Sequence, residues 1–115
     1  MLGPRRKTTV RLYDEQGNCE EREITMVLTV GTARKMKSET GRDIMQFSAS
    51  NMDTDALVEM LYYTALQGGS DLKLEEIDMM AYGELMDKGW IINEMLDEFM
   101  PDRTGAKNRP LKGKK

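Results

Sequence analysis

The apolar pattern of this chain changes period once, at about Val30, and that change limits the fold more than any other feature. Before it, β-branched residues crowd residues 7–13 and about 20–29 (Thr8, Thr9 and Val10, then Ile24, Thr25, Val27, Thr29 and Val30), and Val10 and Leu12 alternate with Arg11 and Tyr13. A period of two sends successive side chains to opposite faces of a strand, so one face is read as buried. Asp14-Glu15-Gln16-Gly17-Asn18 separates the two runs. Gly17 and Asn18 tolerate the positive φ of a tight turn, which predicts a β-hairpin over 7–29. Two strands alone are marginal in water, so the hairpin is expected to pack on the helical remainder of the chain.

After Val30 the apolar residues recur at helical spacing. Ala33, Met36 and Thr40 share one side of a short helix over about 30–40, with Gly41 placed to end it. Asp43 to Phe47 is ambiguous, and Ser48-Ala49-Ser50-Asn51 is a polar break. Asp53 is a good N-cap for a helix over about 54–67, whose Leu57, Met60, Leu61 and Ala65 form the main stripe, widened by Val58, Tyr62 and Leu66. This helix is expected to be central. Gly68-Gly69-Ser70 stops it, and Ser70 or Asp71 can cap a third helix over about 73–88, striped by Ile77, Met80, Ala81 and Leu85 and ended by Gly89. A fourth, over about 90–100, carries Ile92, Met95, Leu96 and Phe99 on one face and is closed by Pro101. The expected class is therefore α+β, mainly helical, as a single domain over 1–100. Residues 101–115 lack apolar periodicity and are expected to form a disordered basic tail.

The charges divide the same way. From Pro101 onward Arg103, Lys107, Arg109, Lys112, Lys114 and Lys115 face the single acid Asp102, so this segment carries +5 and the first hundred residues carry −8. An acidic body disfavours nucleic acid, because affinity for phosphate comes from cations displacing condensed counterions. Near-apolar residues run longest from Ile24 to Val30, far below the roughly 20 residues of a membrane helix. The start of the chain does not resemble a signal peptide and Cys19 is the single cysteine, so a cytoplasmic protein with neither membrane nor nucleic-acid partner is expected.

Reactive groups are scarce. The absence of histidine removes the commonest general base and metal ligand, so neither a catalytic residue, a metal site nor a cofactor site is assigned. A nucleophilic Cys19 would need a neighbouring base and an electropositive pocket, whereas its neighbours are Glu20 and Glu21. Asp53 with Asp55, and Glu75 with Glu76, fall in first helical turns where acids complement the helix dipole. A calcium loop starting at Asp53 fails, because Val58 and Thr64 stand where glycine and glutamate are required. The third and fourth helices around Gly89 imitate a helix-turn-helix, yet the second would carry Glu94, Asp97 and Glu98 without a cation to approach DNA. Eleven methionines are the opposite signal. Flexible, polarizable thioethers fill irregular cores, and they also serve surfaces that repack against partners.

The order of segments adds a further signal: a hairpin, then Lys37-Ser38-Glu39-Thr40-Gly41 at a helix end, then Asp53-Thr54-Asp55-Ala56-Leu57 opening a helix with Tyr62-Tyr63-Thr64-Ala65-Leu66, then Leu72-Lys73-Leu74-Glu75-Glu76-Ile77 opening another. Over roughly residues 20–100 this resembles the small tail assembly chaperones of long-tailed bacteriophages and prophages. The resemblance implies a non-enzymatic protein of the host cytoplasm, absent from the finished virion, that coats the tape-measure protein, helps recruit tail-tube subunits and self-associates. The basic tail and the high methionine content depart from that pattern.

For partner contact on the last helices the residues chosen are Met79, Tyr82, Met86, Trp90, Met95 and Phe99, although at each of them the core reading outweighs the contact reading. The competing function is a small dimeric transcription or toxin-antitoxin regulator, with the hairpin dimerising and the tail touching DNA.

Overall fold

The computed structural model describes residues 5–47 and 52–99. The hairpin forms as expected, with β1 (Arg5–Tyr13) antiparallel to β2 (Cys19–Val27) and Tyr13 opposite Cys19. Its turn is built by Asp14, whose carboxylate accepts the Gln16 and Asn18 N–H groups at 2.9 Å, while Gly17 adopts φ 87°. Val10, Leu12, Ile24 and Met26 all point to one buried face. Arg5, Lys7, Thr9, Arg11, Glu21 and Glu23 occupy the other, exposed face.

Helices cover the buried face. Helix α1 (Val30–Thr40) starts at Thr29, whose N–H donates to Thr32 Oγ1 at 3.1 Å, and ends at Gly41, φ 81°. Thr32 is buried and donates to the Val27 carbonyl at 2.9 Å, locking the helix start to the end of β2. The ambiguous Asp43–Phe47 segment is a short 3₁₀ turn over Ile44–Gln46, capped by Asp43, that buries Ile44 and Phe47. Helix α2 (Thr54–Gln67) begins where expected, with the Asp53 carboxylate accepting the Ala56 N–H at 2.8 Å. It is the central element, touching β2, α1, α3 (Leu74–Asp78) and α4 (Tyr82–Phe99). Its stripe of Leu57, Met60, Leu61 and Ala65 is buried, and Ala56, Tyr63 and Thr64 widen it. Each large apolar side chain so removed from water contributes about 1.5–3 kcal/mol.

The last third differs from expectation. The third helix does not run over 73–88 and the fourth does not start at Trp90. Instead α3 is five residues long and α4 runs eighteen residues straight through Gly89. Gly89 is a packing residue: a Cβ there would lie 3.1 Å from Leu57 Cδ2, so α4 rests its backbone on α2 at this point. The break falls at 79–81, where the Met79 N–H turns back to the Glu76 carbonyl. Nor does Ser70 cap a helix. Its hydroxyl accepts the Thr25 N–H at 2.9 Å and donates to the Thr25 carbonyl at 3.2 Å, and Lys73 stands at the N-cap of α3.

Ser70 satisfies groups that an antiparallel pair necessarily turns outward, since every second residue of each strand faces away from its partner. On the opposite edge the Arg11 N–H donates to Glu84 Oε2 at 3.0 Å. Gly68 fits beneath β2 because it has no side chain: a Cβ would run into the Thr25 carbonyl. The expected break at 48–51 and the basic tail at 101–115 lie outside the described residues.

Candidate functional site

Three of the six residues selected from sequence come together. Tyr82, Met86 and Trp90 recur at i, i+4 and i+8 on α4, which places them on one face of the helix. They are 60%, 43% and 70% exposed. Leu57, Gly89, Asn93 and Met52 border the same strip and enclose with Met86 and Trp90 a shallow groove of about 210 Å³. The start of α2 abuts its other end, where Thr54 Oγ1 and the Tyr82 hydroxyl share a hydrogen bond of 3.1 Å. Large aromatic side chains held outward beside an apolar groove are the usual anchors of a binding surface.

The other three lie elsewhere. Met79 is exposed at the far side of α3, in a groove of about 320 Å³ with Leu12, Tyr13 and Cys19 at the end of the hairpin. Met95 is buried and presents no surface to a partner, and Phe99 is half-buried against the same core. The helical period explains the error: with α4 continuous, Ile92, Met95, Leu96 and Phe99 continue the face that Leu85 begins, and Tyr82, Met86 and Trp90 lie off it. Sequence reasoning missed Met52 and Leu57 as walls of the groove. The i, i+4, i+8 spacing of the three exposed residues was the available signal.

Charge frames the strip. Helix α4 carries Glu84, Asp87, Glu94, Asp97 and Glu98 against the single cation Lys88. Lys88 is 7% exposed and turned to the sheet, where its Nζ donates to Thr8 Oγ1 at 3.1 Å and meets Glu84 Oε2 at 3.5 Å. Asp87 and Glu94 lie three residues before and four after Trp90, both exposed. Asp53 and Asp55 stand at the start of α2 beside Thr54. The helix-turn-helix reading is removed, because α4 continues through Gly89 without a turn.

The remaining polar pairs tie elements together. Arg22 Nη1 and Nη2 donate to the Glu76 carboxylate at 2.9 and 3.0 Å, fastening β2 to α3. The Arg22 guanidinium holds the Glu76 carboxyl below its ordinary pKa, so this acid stays ionised near neutral pH. Tyr63 donates to Glu39 at 2.7 Å, joining α2 to α1; burial first, and then this bond, push the phenol pKa upward. Arg42 Nε donates to Glu59 at 2.6 Å. Among the described residues, no three acidic or cysteine side chains converge as a metal site would require, and no helix is long and apolar enough to cross a membrane. Compared with protein-family models, curated proteins and solved structures, the chain matches none.

Proposed function

We propose that this chain is a non-catalytic assembly chaperone of the kind that serves long bacteriophage tails, acting in the host cytoplasm on the tape-measure protein and helping to recruit tail-tube subunits, with copies of itself as further partners. The observation that carries the reading is the exposure of Tyr82, Met86 and Trp90 together on one face of α4, beside an apolar groove. A small domain that buries Met36, Met60 and Met95 has sites to hide apolar side chains, yet α4 presents an indole, a phenol and a thioether together. Exposed contiguous apolar surface marks interaction sites, and methionine adapts such a surface to more than one client sequence. An acidic body keeps the loaded complex dispersed. The order of segments from the hairpin to Ile77 supplies the class of client.

Co-expression tests the proposal. A tape-measure protein from the same genome is expected to stay in the soluble fraction with this chain and to precipitate alone. Unchanged precipitation in the presence of well-folded chain overturns it.

A further inference from the structure

The strip on α4 has a charge frame as well as an apolar floor, and together these select an occupant. Asp87 and Glu94 lie together along the edge of Trp90 that faces away from Gly89, with Asp87 also lining a polar depression beside Arg11 and Lys88; Asp55 stands at the Tyr82 end, and Lys88, the one cation of α4, is engaged with Thr8 and Glu84. Among the described residues no cation pairs with Asp55, Asp87 or Glu94. A ligand that covered Trp90, Met86 and Tyr82 would leave these carboxylates at its rim, where opposite charge on the ligand is favoured and like charge is penalised.

Two occupants close at hand fit poorly. The chain's own residues 101–115 bring six cations, but apart from prolines their apolar side chains are Ala106 and Leu111, too few to cover three large residues spread over two turns. A second copy pairing strip to strip would bring the Asp87 and Glu94 carboxylates of both copies into one interface, since a two-fold contact uses the same patch twice.

We infer that the Tyr82–Met86–Trp90 strip is a docking groove for an amphipathic helix of another protein, one whose apolar face is bordered by lysine or arginine, with Asp87 and Glu94 setting that preference. The apolar residues of the ligand helix, spaced i, i+3 or i+4, i+7, lie along the groove walled by Met52 and Leu57, and cations on one border of that helix reach past Trp90 to Asp87 and Glu94. This inference rests on the binding-protein reading and adds the chemistry of the partner.

Isothermal titration of the full chain with designed peptides tests it. Three peptides share one helical frame: a lysine-flanked apolar face, the same face flanked by glutamate, and the lysine-flanked frame with its apolar face replaced by serine. The first is expected to bind, the other two at least about tenfold more weakly. Trp90→Ala is expected to weaken the first by a similar factor, and Asp87→Lys with Glu94→Lys to reverse the order of the first two. Equal binding of the lysine- and glutamate-flanked peptides, or binding unaffected by Trp90→Ala, overturns the inference. Displacement of the first peptide by a peptide of residues 101–115 would reassign the groove to the chain's own tail and overturn it too, as would a dimer abolished by Trp90→Ala. Client rescue that survives Trp90→Ala removes this inference and leaves the chaperone reading, whereas absence of rescue by the unaltered chain removes the reading itself.

Discussion

A Cβ placed on Gly89 would sit 3.1 Å from Cδ2 of Leu57, so the two longest helices meet backbone against side chain. The contact sets how deep α4 lies on α2, and with it the floor of the groove beside Trp90.

Gly89→Ala opposes two effects. Alanine gains up to about 1 kcal/mol of helix propensity over glycine, and Leu57 must yield a few tenths of an ångström. Near-neutral stability is expected. Gly89→Leu is expected to cost about 1–3 kcal/mol by overpacking, part of it recovered in combination with Leu57→Ala. Urea unfolding of the four variants reads the cycle, and additive costs would show that Gly89 and Leu57 are not coupled.

At Gly68 the opposing atom is the Thr25 carbonyl oxygen, which cannot retreat without pulling β2 from β1. Gly68→Ala is therefore expected to destabilise by more than about 2 kcal/mol. Ser70→Ala leaves the Thr25 N–H and carbonyl without their partner and is expected to cost about 1–3 kcal/mol. A midpoint unchanged in either variant would show that this loop does not brace the sheet.

The acid and alkaline limbs of stability have different owners. Glu76 titrates below its ordinary value of 4.5 because Arg22 holds it, so its contribution is present above that value and is lost as pH falls through the folded pKa. Tyr63 titrates above its ordinary value of 10.0 because it is buried and bonded to Glu39, so its contribution is present below 10.0 and declines as pH rises beyond it. Glu76→Gln is expected to flatten the loss of stability below about pH 4.5, and Tyr63→Phe the loss above about pH 10. Denaturant midpoints across pH measure both; parallel shifts of the whole curve would assign these limbs to other groups.

Exposure separates binding from folding. Trp90→Ala removes a side chain that is 70% exposed and is expected to change stability by no more than about 0.5 kcal/mol. Leu96→Ala empties a fully buried position and is expected to cost about 2–5 kcal/mol. Thermal unfolding of the two variants decides; a large loss for Trp90→Ala would make the indole part of the core.

The hairpin and the first two helices were legible because independent signals agreed there. Alternation in Val10 to Tyr13, a glycine in the turn, Asp53 as a cap and the Leu57–Ala65 stripe all named the same boundaries. Where signals were degenerate the reading failed. A glycine between apolar helical segments serves equally as a terminator or as a site of close approach, and only Leu57, distant in sequence, decides which Gly89 is. The same holds for Ser70, whose hydroxyl serves a strand forty-five residues away instead of a neighbouring helix. Placing the helix break at Gly89 instead of at 79–81 also divided one face from the next. Tyr82, Met86 and Trp90 share an exposed face of α4, while Met95 and Phe99 were drawn in from the core side.

Trp90 is the sole indole of the chain, and it stands at the proposed point of contact instead of inside the fold. Its emission colour therefore reports whether that spot is wet or covered, and global denaturation, which only moves it from one aqueous setting to another, leaves it nearly unchanged. The molecule carries an intrinsic optical gauge of occupancy that is almost blind to its own unfolding.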